Sequence, residues 1–345
     1  DATGVRRGRG GRLGILRGRS VKNQYVGLVG DVGGTHARFA LVDTGGHIRH
    51  PKTYTAAQFG GLTEIIGEYL EKTLGRKCPP KAAIAVAGPV VEGEIEFTNL
   101  DWRISEGELI GTFEFQAARL LNDFAAQAMA APVLEADDVR RIGPQLRGAD
   151  NCPVVVLGAG TGFGVSLVAR TDRGDVPIST EGGHAAFAPC DEIEDRLLVR
   201  LREKYGRVSI ERVLSGPGIH ELYQCMADLR GAAATHKDER AVLAAGQEGG
   251  DAVAAETLDR FCAILGGVAG DLALTFGARG GVYVSGGIAP RLGERLTAGG
   301  FRARFEDKGR LSPYTRDIPT YLILHPYAAL VGAARALEQL EGPRL

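Results

Sequence analysis

The chain is short of several things that would settle its class quickly. It has five cysteines in 345 residues, at 78, 152, 190, 225 and 262, too far apart to form a C-x-x-C redox or metal pair. An odd number of scattered thiols excludes a disulfide-stapled scaffold and suits a reducing compartment, so a cytoplasmic protein is expected. No apolar run reaches the roughly 18 residues of a membrane span, and nothing resembles a signal peptide. H-E-x-x-H is absent, which removes the simplest zinc-hydrolase reading. So are the Walker pattern G-x-x-x-x-G-K-[ST] and a G-x-G-x-x-G that opens a helix.

What the chain has in excess is glycine. Fifty of its 345 residues are Gly, about twice normal usage, which implies many tight turns and close backbone approaches. Charge is nearly balanced overall at −1 but is unevenly placed: residues 1–22 carry +6 and residues 23–345 carry −7. An acidic body is a poor nucleic-acid binder. The Arg/Gly-rich head, 1–24, reads as a disordered leader or non-native extension, ahead of an RNA-binding or membrane-surface arm.

Hydrophobic patterning gives a mixed α/β chain. Two strands flank a glycine turn over 25–43, and a third strand is expected at Thr53–Tyr54. Apolar residues at helical spacing predict a helix over Leu62–Leu74. Strands follow at Lys81–Ala87 and Glu94–Thr98, and Ser105 with Glu108 reads as a capping box opening a helix over 106–112. A strand ending at Leu120-Leu121 runs into Asn122-Asp123 and a helix over Phe124–Ala131. After Pro153 the pattern restarts: strand Val154–Leu157, glycine turn Gly158–Gly164, strand Val165–Ala169. Helices are expected over Ile193–Tyr205, Ala241–Gly246, Ala252–Leu274 and Ala328–Leu340, with a strand at Val282–Ser285 before Gly286-Gly287. The repeated strand–glycine turn–strand unit implies two lobes of like construction with a cleft between them.

The chemistry-bearing residues gather at these strand ends. Each glycine turn ends a strand with small residues and a threonine: Gly33-Gly34-Thr35 and Gly160-Thr161-Gly162. Glycines let successive backbone N–H groups point at one anion, and the threonine hydroxyl adds a donor. Asp31 would repel phosphate directly, but it makes sense if it holds Mg²⁺ through water. Either turn alone reads better as a plain hairpin; two matched turns and an acid reverse that in favour of a phosphate cradle. In Leu120–Asp123 the acid at a strand end is a frequent catalytic position in α/β sheets, but taken alone the stretch reads better as Asn122 or Asp123 capping the helix. Glu181, His184 and Glu211 offer acceptors and a donor suited to a polyhydroxyl ligand.

Seven motifs in this order resemble the proteobacterial type of bacterial glucokinase. They are Asp31–Arg38 (DVGGTHAR), Leu121–Phe124 (LNDF), Gly158–Gly164 (GAGTGFG), Glu181–Pro189 (EGGHAAFAP), Glu211–Gly218 (ERVLSGPG), Ser285–Pro290 (SGGIAP) and Phe301–Gly309 (FRARFEDKG). The resemblance runs from about residue 25 to the C-terminus. It implies a two-lobed actin-like ATPase (ribonuclease H-like) α/β fold with an active-site cleft between the lobes. Residues 25–133 with 325–345 would form the small domain and 134–324 the large one. It implies ATP-dependent phosphorylation of glucose at the 6-hydroxyl, with Mg²⁺, in a cytoplasmic homodimer.

Carried over position by position, Asp31, Gly33, Gly34 and Thr35 resemble the family's first phosphate motif, and Gly158, Gly160, Thr161 and Gly162 the second. Gly286 and Gly287 match its adenosine motif. Asn99, Asn122, Asp123, Glu181, His184 and Glu211 match its glucose ligands, with Asp123 as catalytic base. The cysteine-rich zinc motif of the related ROK sugar kinases and repressors is missing, which argues against ROK membership. A kinase for mannose or an N-acetylhexosamine would use the same acids. A sugar-binding regulator would need a DNA-binding segment ahead of the sugar fold, and a chaperone-like ATPase an added substrate domain.

Overall fold

The structure is a computed structural model that describes residues 24–75, 77–97 and 102–340. The Arg/Gly-rich head and Asn99 lie outside the described residues. Among the described residues thirteen strands form in chain order: β1 (Tyr25–Val32), β2 (His36–Asp43), β3 (Ile48–Thr55), β4 (Lys81–Val86), β5 (Glu94–Glu96), β6 (Arg103–Ser105), β7 (Ala117–Asn122), β8 (Val139–Ile142), β9 (Val154–Ala159), β10 (Phe163–Thr171), β11 (Gly174–Thr180), β12 (Gly281–Ser285) and β13 (Thr320–Ile323).

They make two main sheets of one plan. The first runs β3-β2-β1-β4-β7; the second runs β11-β10-β9-β12-β13 and adds β8 at its edge. In each, a three-stranded antiparallel meander leads into two parallel strands. The duplication suggested by two glycine turns therefore extends over all five strands of both sheets. β5 and β6 form a small separate ribbon.

The apolar patterning explains the layers. Leu28, Phe39, Leu41 and Ile84 of the first sheet pack with Ile65, Ile66 and Tyr69 of helix Leu62–Leu74 in one core. Val155, Leu157, Val282 and Val284 of the second sheet pack against the long helices Gly216–Arg230 and Ala252–Phe276 in another. A third layer lies between the sheets. There Val29, Val42 and Ala83 meet Val154, Val156 and Val168, with Met129 of helix Asp123–Ala130 and Leu330 and Leu337 of helix Ala328–Glu338 between them.

These last two helices cross very tightly. A Cβ placed on Gly332 would stand 1.6 Å from the Ala126 carbonyl oxygen, so no larger residue fits without moving a backbone. Gly332→Ala is expected to destabilise the protein by about 3 kcal/mol, read from the denaturant midpoint; a loss under about 0.5 kcal/mol would mean the crossing is looser than described.

Local expectations were met unevenly. Helix Leu62–Leu74 ends at Gly75, whose φ of 67° only glycine adopts readily. Of the capping box only the serine half forms: Ser105 Oγ accepts from the Glu108 amide at 3.0 Å. It is Glu106, not Glu108, that reaches across the sequence, its Oε1 accepting from the Leu120 amide at 2.9 Å. The third strand is longer than expected, Ile48–Thr55, and the strand at 94 shorter, Glu94–Glu96.

Candidate active site

Five of the strands in parallel pairs deliver their C-terminal ends to one place. β1 leads to Gly33–Thr35, β4 to Gly88-Pro89, β7 to Asp123, β9 to Gly160–Gly162 and β12 to Gly286-Gly287. That is where ligands bind in open α/β sheets. Residues of both sheets line the resulting cleft of about 680 Å³.

Gly34, Thr35, Asn122 and Asp123 face it from the first lobe. Gly158, Gly160, Thr161, Gly162, Glu181, His184, Glu211, Gly286 and Gly287 face it from the second. Gly33 sits at the root of the first turn, its amide donating to the His36 carbonyl at 2.9 Å. Asp31 lies one step behind, at the end of β1.

Each side chain is held by a local device. In the second turn the Gly160 amide donates to Gly162 O at 2.9 Å, and the Gly216 amide donates to Gly160 O at 2.8 Å. Gly216 begins the long helix capped by Ser215 with Pro217 in its first turn. A Cβ on Gly162 would fall 2.5 Å from Glu211 Oε2, so glycine there lets Glu211 reach the hairpin. Its Oε2 accepts from the Phe163 amide at 2.9 Å. The Ile210 amide donates to Ala185 O at 2.9 Å, and Ala186 bridges to Ser209, which brings the His184 and Glu211 segments side by side. Glu181 and His184 lie open, with side chains 72% and 58% exposed and Nε2 3.9 Å from Oε2.

Of the two candidates for the helix cap it is Asn122 that takes it, which leaves the Asp123 carboxylate on the cleft wall. Asn122 caps the helix, its Oδ1 accepting from the Phe124 and Ala125 amides at 3.0 and 3.2 Å. Its Nδ2 donates to Gly88 O at 3.2 Å and to Asp123 Oδ1 at 3.0 Å. The Asn122 amide is therefore engaged within the protein at both ends. Asp123 Oδ1 also accepts from the Phe124 amide at 2.9 Å, while Oδ2 has no protein donor among the described residues.

Burial lifts the Asp123 carboxyl to about 6; the Phe124 amide opposes this, and the Asp31 charge adds to it. Asp31 is likewise raised by burial, against the pull of Arg38, whose Nη1 donates to its Oδ2 at 3.0 Å. Burial raises both carboxyls, and the like charge of Asp31 adds to the rise at Asp123 alone.

Asp123 thus costs stability once ionised. Its folded value of about 6 lies above the unfolded value of about 3.9. The cost is absent below about pH 4, grows as pH rises through 6, and is full at pH 7. Two units correspond to about 3 kcal/mol at most, offset by water in the cleft and by the favourable position of an acid in the first helical turn. Asp123→Asn is expected to gain about 1 kcal/mol at pH 7 and nothing at pH 4. Equal stability of the two proteins at both pH values would contradict the burial argument.

Among the residues of the cleft wall that had no role assigned from the sequence are Ala87, Gly88, Pro89, Thr180 and Gln127. Gln127 sits one helical turn beyond Asp123, the i, i+4 spacing that puts both on one face. That spacing was the only available signal. Arg38, part of the quoted DVGGTHAR motif, had no role assigned and turns out to neutralise Asp31.

Two like lobes with glycine turns on the cleft define an actin-like ATPase fold. The glucokinase family model matches residues 28–340. A glucokinase from Caulobacter sp. (strain K31) is 48% identical, over 90% of this chain and 95% of its own. One from Chromohalobacter salexigens is 41% identical over 91% and 98%. A crystal structure of a glucokinase from an Antarctic psychrotroph superposes with a TM-score of 0.84 at 39% identity, over 91% of this chain and 99% of that one. The chain belongs to the glucokinase family. The reaction expected from its motifs, ATP-dependent phosphorylation of glucose, is that family's reaction. A ROK-family glucokinase from Streptomyces griseus, solved with glucose and AMPPNP, shares only the fold, at 19% identity and a TM-score of 0.60.

Proposed function

We propose that this cleft transfers the γ-phosphoryl group of ATP to the 6-hydroxyl of glucose, with Asp123 as the base. The observation that carries the reading is the placement of Asp123. Its carboxylate has one oxygen tied down and a proton affinity near neutrality, and it lines the same cleft as both glycine turns.

Phosphoryl transfer has a loose transition state, so positioning and charge neutralisation supply most of the rate. Asp123 Oδ2 orients the sugar's 6-hydroxyl and accepts its proton. The bond from that oxygen to phosphorus forms as the bond to the departing ADP breaks. The Gly33 and Gly160 amides close the two turns, and the N–H groups of Gly34, Thr35, Thr161 and Gly162 meet the phosphate oxygens, with the Thr35 and Thr161 hydroxyls beside them. Gly286-Gly287 borders the adenosine. Glu181, His184 and the free oxygen of Glu211 hold ring hydroxyls. Asn122 keeps Asp123 in place and reaches the sugar only by giving up its Gly88 bond. Asn99 completes the sugar set in this reading.

Asp31 would suit Mg²⁺ held through water: Arg38 takes its Oδ2, and Oδ1, without a donor among the described residues, is left for a hard, oxygen-seeking cation. When bound, that ion would neutralise charge on the phosphates. The reading takes 25–133 with 325–345 as the sugar-base lobe and 134–324 as the other. Their closure would cover Glu181 and His184 and exclude water. It also includes a cytoplasmic homodimer, which sedimentation of the full chain checks. No helix among the described residues is long and apolar enough to cross a membrane.

The test is a coupled assay with ATP-Mg²⁺ against glucose, mannose and N-acetylglucosamine. Glucose is expected to lead in kcat/KM by at least tenfold, because buried groups left unpaired penalise an ill-fitting sugar. A better rate with either other sugar would move the substrate while keeping the chemistry.

A further inference from the structure

Between the two lobes one polar bond links the helix that starts with Asp123 to the loop that starts with Ser285. Ser285 Oγ donates to Gln127 Oε1. Ser285 closes β12 and is only 8% exposed, and Gly286 and Gly287 follow it directly. Gln127 stands on the cleft face of its helix, one turn from Asp123. The same helix is seated from a second side. A Cβ on Gly164 of β10 would lie 2.2 Å from the Phe124 ring, so that ring packs directly on the backbone of the second glycine hairpin. Van der Waals seating at Phe124 and the crossing at Gly332 fix how near the helix comes, and they leave its cleft-side face some rotational freedom. A directional bond at Gln127 removes that freedom.

We propose that Gln127 is a positioning residue, which with Ser285 locks the Asp123 helix in register with the loop Gly286-Gly287. This rests on the reading of Asp123 as base and of that loop as nucleotide-binding. The lock makes the acceptor side and the donor side of the reaction one rigid unit. Sugar contacts at Glu181, His184 and Glu211 belong to other segments, so losing the lock should misalign the groups without releasing the sugar.

Gln127→Leu, Ser285→Ala and the double variant are measured against the parent, with Ser285→Thr as the variant that keeps the hydroxyl. Each single change is expected to lower kcat about tenfold with the glucose KM within twofold. The double variant should be no slower than either single one, because both remove the same bond. Ser285→Thr should recover at least half of the parent kcat. Independently of activity, Ser285→Ala should speed hydrogen exchange of the amides of Phe124–Ala130 several-fold, although it lies on a different lobe.

Unchanged exchange in that helix, or additive losses in the double variant, would overturn the lock. A parent protein that phosphorylates no sugar would instead overturn the kinase reading, and the exchange result would still decide whether the lock exists.

Discussion

Asp123→Asn is expected to lower kcat by about 10²–10⁴-fold, the usual worth of a positioned base, while glucose still binds within a few-fold. The substitution is nearly isosteric. The oxygen that accepts from Asn122 and Phe124 can be kept, so the helix start stays in place and only the proton acceptor is lost. The effect should therefore fall on turnover and spare ground-state binding. The parent's kcat should also drop on the acid side of about pH 6, where the carboxyl takes up its proton. Turnover in the variant within tenfold of the parent would remove Asp123 from the role of base.

Glu211→Ala should have the second largest effect, with kcat/KM for glucose down by about 10²–10³-fold. On the proposed reading one carboxylate oxygen meets the sugar, and losing such a bond costs about 2–3 kcal/mol. The other accepts from the Phe163 amide at the base of the second glycine hairpin. Removing the side chain leaves that amide without its partner and the hairpin free to shift. The KM for ATP should therefore rise several-fold as well. Glu181→Ala makes the contrast. Glu181 is open to the cleft, 3.9 Å from the His184 ring, so its loss should weaken glucose and leave ATP untouched. If Glu211→Ala behaved like Glu181→Ala, the link between sugar and phosphate sites through Glu211 would be wrong.

What could be read from the sequence follows from how local its cause is. The two glycine turns were legible because strand periodicity, a sharp stop and small residues occur within a dozen positions. Asp123 was legible as an acid at a strand end, and Glu181, His184 and Glu211 through the motifs that carry the resemblance.

The engagement of Asn122 at both ends was not legible. It depends on Gly88, which arrives from another strand. The Gln127–Ser285 contact spans 158 positions and leaves no trace in either local pattern. Strand β8 reads Val-Arg-Arg-Ile and is charged because it is a sheet edge, where charge deters further pairing. β11 carries Pro177 and β13 has only four residues, so neither shows a run long enough to reveal a strand. Helix Gly216–Arg230 was hidden because its start, Ser-Gly-Pro-Gly, looks like a loop; Ser215 as cap and Pro217 in the first turn make it a helix start.

The central claim is that sugar, nucleotide and Asp123 meet in one cleft. The most direct measurement is a crystal structure of the full chain with glucose, Mg²⁺ and a non-hydrolysable ATP analogue. The account predicts the sugar's O6 within about 3.2 Å of the Asp123 carboxylate, with the phosphates on Gly33–Thr35 and Gly160–Gly162. Glucose bound with O6 directed away from Asp123, or triphosphate bound clear of both turns, would contradict it.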